Sequence, residues 1–318
     1  MSQTTTARNK RHRSDQHIPS WRARQQRSLA LLMVTPAMLV IGLIVLYPAV
    51  QTIWTSFYKW DGFSDDKQFV GFDMYRLSMK GLSFDRAVSN SLKWGLVAML
   101  VPPAIGLVSA ALVEDSGIRC KGLFRFAFFL PYFFSMAVAG AIFTRVYDPS
   151  YGMLNRLLDT FGFSAQHQWL GDQKLALWAA IAVFVWHETA FCFIVFAAAI
   201  QQIDREMYDA AKIDGASAIR IFLDITVPSL SSLATFVMSI MLIGGLTPFA
   251  VVFALTTPSL GGPYYATEVL PTLIFKKGLQ GTNAGQASAL GVILLLVVVS
   301  TTLLFTGFRS WLARRSLT

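Results

Sequence analysis

The sequence predicts an all-α, polytopic membrane protein: six transmembrane helices, with a short inner-face helix between the fourth and fifth. Three observations lead there. Charged residues make up 14% of the 318 residues, against about 25% in an ordinary soluble domain. Hydrophobic residues make up 54% and mean hydropathy is +0.51, which excludes a disordered chain and argues against a soluble enzyme. Six stretches reach the roughly 20 predominantly apolar residues that a helix needs to cross the hydrocarbon.

The first stretch covers residues 29–57 and follows a basic, polar segment, residues 1–27. It is near twice the roughly 7–15 residues of a signal-peptide core and lacks a small-residue cleavage site soon after, so it reads as a retained helix. The others are 91–113, 126–144, 175–200, 227–255 and 284–308. Pro36, Pro48, Pro102, Pro103, Pro131 and Pro248 fall within them. Bundles accept such prolines because neighbours or water re-satisfy the freed carbonyls. Gly106 with Ala110, and Ala287 with Gly291, are small pairs at the spacing that lets helices approach closely. The expected organisation is a cytoplasmic basic tail (1–27), a transmembrane domain (28–308) containing an inner loop (201–226), and a second short tail (309–318).

Orientation follows from basic residues. With both termini inside, the inner segments hold sixteen basic residues against eight acidic ones, and the outer segments hold eleven against nine. Arg22, Arg24, Arg27, Arg119, Lys121, Arg125, Arg309 and Arg314 lie near helix ends, where orientation is decided. The basic tail is therefore a topology determinant, and no nucleic-acid partner is expected. The outer loops span 57–90, 145–174 and 256–283. Trp54, Tyr58, Trp60, Trp94, Tyr147 and Trp169 fall near the expected interfaces, as an aromatic belt would. The two cysteines, Cys120 and Cys192, are too few and too far apart for a disulfide framework.

The loop between spans four and five is the most informative segment. Asp204 is a good N-cap, with Glu206 in the first turn. Met207, Ala210, Ala211 and Asp214 fall near one face of a short helix. Gly215 supplies the left-handed residue that ends it, and Pro228 is expected to begin span five. Alanines keep the surface low, so a partner's cleft can come close.

This loop resembles the coupling motif of permease subunits of binding-protein-dependent ABC importers. The family pattern is Glu-Ala-Ala, three residues, Gly, nine residues, then Ile-any-Leu-Pro. Here stand Asp209-Ala210-Ala211, Gly215 and Ile225-Thr226-Val227-Pro228, with both gaps intact. The departures are Asp209 for Glu and Val227 for Leu. Further markers look like the carbohydrate-importer branch: Tyr47-Pro48, Ser56-Phe57, Val70-Gly71-Phe72 with Tyr75, Phe124-Arg125 and Leu130-Pro131-Tyr132. So do Tyr151-Gly152, Leu154-Asn155, Trp169-Leu170 and Gly261-Gly262-Pro263, the last more like the maltose- or glycerol-phosphate-type first permease.

The resemblance implies a non-enzymatic subunit of a bacterial inner membrane. It would pair with a second permease, two ATP-binding subunits and an extracytoplasmic solute-binding protein, and would carry a sugar or oligosaccharide. Asp209, Ala210, Ala211, Asp214, Gly215 and Pro228 would serve coupling. The chain has no Gly-any(4)-Gly-Lys-Ser/Thr phosphate loop, so ATP and Mg are expected in the partner subunits and no cofactor in this chain.

A carboxylate within hydrocarbon is costly, which makes Glu188 a functional candidate. It lies thirteen residues before Gln201, about 20 Å along a helix and near the midplane. Matching by spacing to the maltose-type relative implies solute contacts at Phe184, His187, Glu188 and Phe191 on span four, and at Met241, Gly244 and Gly245 on span five. That relative has a small residue at the position of Glu188. As sequence neighbours, His187 and Glu188 are expected on different faces, with one lining the path. A permease–permease contact is the other role open to them. Carboxylate acceptors and aromatic rings suit a neutral saccharide or amino sugar. An ionised Glu188 would repel glycerol 3-phosphate, the alternative solute. His187-Glu188 is no zinc motif, because Phe191 stands where the second histidine would be. An intramembrane hydrolase using Ser135 or Ser239 with His187 lacks supporting spacing. An ion-coupled secondary transporter would show an internal repeat and more midplane charges.

Overall fold

The computed structural model describes residues 20–115, 120–163, 167–257 and 259–315. Arg8, Lys10, Arg11 and Arg13 of the basic tail, and Arg119, lie outside the described residues. The chain divides into two units, residues 1–51 and 52–318. In the first, α1 (Ser20–Ile41) runs through a π turn (Gly42–Leu46) into α2 (Tyr47–Thr55), which ends in the second unit. Pro48 has no N–H to return to the preceding turn, and the wider π turn sits where that bond is missing.

The second unit opens with a two-stranded antiparallel hairpin, β1 (Tyr58–Lys59) and β2 (Gln68–Phe69). Then come α3 (Asp73–Ser78), α4 (Leu82–Asp115), α5 (Lys121–Phe129), α6 (Met136–Val146), α7 (Met153–Thr160) and α8 (Ala176–Ile200). After α8 come α9 (Arg205–Ile213), α10 (Ala218–Ile221), α11 (Val227–Ser229), α12 (Ser231–Leu246) and α13 (Phe249–Thr256). The chain closes with α14 (Leu270–Phe275) and α15 (Ala284–Arg315). Among the described residues, four helical runs are long and apolar enough to cross a membrane: Leu31–Thr55, Leu82–Glu114, Ala176–Ile200 and Ala284–Leu312. Two bent pairs raise the number to six if each crosses as one.

Those bent pairs correct the expected third and fifth spans. The third is not one rod over 126–144. It runs from Lys121 to Phe133, breaks, and resumes at Met136 after turning by 94°. Pro131 removes a helical donor there, and Ser135 caps the new helix by accepting the Val138 N–H at 3.3 Å. Nor does Pro228 begin span five. Helix is already present from Ala218, passes through a π turn (Phe222–Thr226) just ahead of Pro228, and bends by 73° between Ser229 and Ser231. The expected run to residue 255 is also split, because Thr247 and Pro248 separate α12 from α13. The helix of the second span, α4, starts at Leu82, nine residues ahead of the apolar run at 91; Asp85, Arg86 and Asn90 lie in that leading polar part.

The core is the contact of α4 with α8 and α12. A Cβ on Gly106 would lie 2.6 Å from Cys192 Cβ and 2.8 Å from Phe193 N. One on Gly245 would lie 3.1 Å from both the Gly95 Cα and the Trp94 carbonyl oxygen. Hydrocarbon gives no hydrophobic drive between helices, so close backbone approach and dispersion hold them. Trp94 corrects the aromatic-belt reading. It is fully buried and packs edge-on against Phe184, ring centroids 6.0 Å apart. Tyr147 is buried too, and its hydroxyl donates to the Ala179 carbonyl at 3.0 Å.

Candidate functional site

Glu188 lies twelve residues from either end of α8, about 18 Å from each. Its side chain is 16% exposed and that of His187 is 7%. Sequence adjacency suggested different faces, but the two side chains curl together: His187 Nδ1 and Glu188 Oε1 are 3.0 Å apart. His187 Nε2 lies 2.9 Å from the Phe134 carbonyl oxygen, at the break in the third span. A carbonyl only accepts, so Nε2 carries a hydrogen. The Nδ1–Oε1 contact then needs one further proton between them. With one proton shared in that contact the pair carries no net charge, whichever atom holds it.

The Tyr132 ring lies beside this pair, with centroids 5.2 Å from His187 and 5.7 Å from Phe191. Tyr132 is 39% exposed, and the 94° break presents it. In the sequence Tyr132 stands out only within the Leu130-Pro131-Tyr132 marker, because a straight span gives no reason to aim it at α8. The structure thus brings His187, Glu188 and Phe191 together with Tyr132. The remaining candidates lie elsewhere. Phe184 is buried against Trp94, and a Cβ on Gly244 would lie 3.9 Å from Phe184 Cζ. Met241 packs in the apolar cluster of Phe193 and Phe196. Gly245 forms the α4–α12 seam.

The second candidate region is α9. Asp204 accepts the Glu206 N–H at 3.0 Å, as an N-cap should. At the other end Gly215 N–H donates to Lys212 O at 3.1 Å, and Ala216 N–H to Ala211 O at 2.9 Å. That pair of bonds is a Schellman closure, with Gly215 at φ +74° and nothing within 4 Å of an added Cβ. Backbone conformation, not space, therefore demands glycine here. Asp209, Ala210 and Asp214 are exposed, and Ala211 is half-buried. Behind α9 lies a polar cleft of about 360 Å³ lined by Glu114, Lys121, Arg125, Tyr208, Asp209 and Lys212, among others. Its wall is braced by Arg125, which holds the buried Glu114 carboxylate through two bonds of 2.8 and 2.6 Å. Lys121 Nζ donates to the Glu114 carbonyl.

A third cluster went unnoticed in the sequence. Glu268 is fully buried in the loop between α13 and α14, and its Oε2 is 2.5 Å from Lys276 Nζ. Thr272 donates to its Oε1 at 3.2 Å. Burial pushes this carboxyl above the ordinary range, although Lys276 and Thr272 pull the other way. Asn90 ties the loop to α4 by donating to the carbonyls of Ala266 (2.9 Å) and Glu268 (3.0 Å). Alternation and helical periodicity carry no signal for such a pair, eight residues apart across a turn.

The chain is similar to known proteins over most of its length. It is 32% identical over 286 residues to the probable ABC transporter permease protein YurN of Bacillus subtilis, covering 89% of this chain and 97% of that protein. It is 33% identical over 284 residues to the diacetylchitobiose uptake system permease protein NgcF of Streptomyces coelicolor, covering 85% and 78%. Its fold is shared, at TM-score 0.78 and 22% identity, with a chain of a bacterial ABC transporter involved in the import of the acidic polysaccharide alginate, over 92% of this chain and 98% of that one. Residues 104–317 match the family described as binding-protein-dependent transport system inner membrane component. By that match and by these identities over most of its length, the chain belongs to the binding-protein-dependent transport system inner membrane component family.

Proposed function

We propose that this chain is the permease subunit of an ATP-driven importer of a neutral saccharide or amino sugar. It crosses the inner membrane six times, each bent pair counting once, with both termini in the cytoplasm. A second permease completes the path, two ATP-binding subunits drive the pair with one of them gripping α9, and an external binding protein delivers the solute. The basic tail 1–27, the six-span body 28–308 and the tail 309–318 keep the roles read from the sequence. Asp209, Ala210, Ala211, Asp214 and Gly215 serve coupling, with Pro228 at the base of the fifth span.

The observation that carries the solute class is the His187–Glu188 contact beside the Tyr132 and Phe191 rings, a pair without net charge when one proton is shared. Glu188 Oε2 is left to accept a hydroxyl hydrogen, and the rings offer faces to sugar C–H groups. Without net charge the pair offers an anionic phosphate no counter-charge to offset its desolvation. The alternative solute, glycerol 3-phosphate, is disfavoured on that ground, and not by the repulsion from a lone carboxylate that the sequence suggested. The diacetylchitobiose relative supports an amino-sugar cargo. Phe184, Met241, Gly244 and Gly245 contribute by shaping the helices behind this face.

The test is uptake by the reconstituted complex with radiolabelled N,N′-diacetylchitobiose, maltose and glycerol 3-phosphate. Saccharide uptake is expected, with Glu188→Ala and Tyr132→Ala each lowering it by about tenfold, or about 1.4 kcal/mol of transition-state stabilisation. Saccharide uptake by both variants at the level of the unmodified protein, or uptake of glycerol 3-phosphate alone, would contradict the reading.

A further inference from the structure

Motion of α9 reaches the membrane only through whatever fastens α9 to the spans. Most of α9 is exposed, but Tyr208 turns inward. Its hydroxyl lies 3.0 Å from the Thr226 hydroxyl, in a hydrogen bond that either group can donate. Thr226 is 3% exposed and is the last residue of the π turn that leads into α11. Four residues later the chain bends by 73° into α12. The bond therefore lands at the base of the bend. On the far side, Arg309 of α15 donates to Thr235 Oγ1 at 3.0 and 2.7 Å and approaches Ser231 O at 3.4 Å. The bend is held from below by Tyr208 and from the side by Arg309.

The space around Tyr208 makes that hydroxyl bond matter. The side chain lines both the polar cleft of about 360 Å³ and an apolar groove of about 350 Å³ bordered by Val108, Leu112, Ile219 and Phe222. With room on two sides, packing alone does not fix the ring. A directional bond to a buried partner does, and π turns are places where a helical ladder adjusts readily. We propose that the Tyr208–Thr226 hydroxyl pair joins α9 to the bent base of the fifth span as one rigid piece, making Tyr208 a positioning residue for coupling. The proposal rests on reading α9 as the coupling helix.

The test uses the full complex with its ATP-binding subunits in nanodiscs, spin-labelled at Ile213→Cys on α9 and Ile240→Cys on α12, in a Cys120→Ser background. Pulsed electron paramagnetic resonance reads the distance without nucleotide and with ATP plus vanadate. The unmodified pair, and the conservative Thr226→Ser, are expected to give one distance in both states. Tyr208→Phe and Thr226→Val are expected to shift or broaden it by about 2 Å or more on trapping, the scale of helix shifts in switching proteins. The double variant should be no worse than either single one, because both remove the same bond. An unchanged distance in Tyr208→Phe overturns the joint, as does a nucleotide-dependent distance in the unmodified pair. Cross-linking of α9 to the ATP-binding subunits is scored separately in the same samples. Its failure would sink the coupling reading instead.

Discussion

Ala210→Trp is expected to abolish transport while leaving the protein in the membrane. Ala210 is exposed on α9, between an N-cap that holds and a Schellman closure that holds. Tryptophan keeps the helix, since its propensity cost is a few tenths of a kcal/mol. It adds a large ring where, on the proposed role of α9, a partner's cleft would close. Loss of complementarity at such a contact is expected to weaken docking on the order of 100-fold, about 2.8 kcal/mol. Pull-down of the ATP-binding subunits with detergent-solubilised variant measures it. Gly215→Ala gives the graded companion. With no atom near its added Cβ, it bears only the left-handed backbone cost of about 1 kcal/mol. It should lower coupled transport without abolishing docking.

Lys276→Met is expected to be among the most destabilising single changes in the chain. It keeps the length of the side chain but strips the partner from a fully buried carboxylate. Breaking a buried pair in this way costs about 3–5 kcal/mol. The loss has a pH signature. Glu268 already titrates above its ordinary value, so the folded state holds its proton more tightly than the unfolded chain does. Such a group contributes least at neutral pH and more as pH falls toward the unfolded value near 4.5. Without Lys276 the carboxyl rises further and escapes the penalty by protonating. The melting-temperature deficit of Lys276→Met should therefore shrink between pH 7.5 and pH 5.5, while Glu268→Gln/Lys276→Met should show no such recovery. A pH-independent deficit would show that Glu268 is not the group left stranded.

The features legible in the sequence were those set by local chemistry. Asp204 capped its helix and Gly215 closed it, because a cap oxygen and a positive φ are decided within a few residues. Gly106 packed a helix seam as its small size required. The breaks were harder. Pro131 and Pro228 were visible, yet proline alone does not say whether a span continues, ends or turns. The outcome depended on Ser135 as a fresh cap and on π turns ahead of Pro48 and Pro228. Trp94 shows a different limit: hydropathy places an aromatic near an interface, and only packing against Phe184 shows that it faces inward. The His187–Glu188 contact needed the Phe134 carbonyl from another span to orient it. Glu268–Lys276 depended on tertiary burial of the loop between α13 and α14.

We propose α9 as the part of this permease that an ATP-binding partner grips from the cytoplasm. Ile213 is 86% exposed at the end of α9, which makes Ile213→Cys in a Cys120→Ser background the direct probe. In inside-out vesicles a membrane-impermeant maleimide should label it, and a short bismaleimide should link it to an ATP-binding subunit bearing a cysteine in its docking cleft. Labelling in intact right-side-out vesicles, or no cross-link in a complex that hydrolyses ATP, would contradict the account.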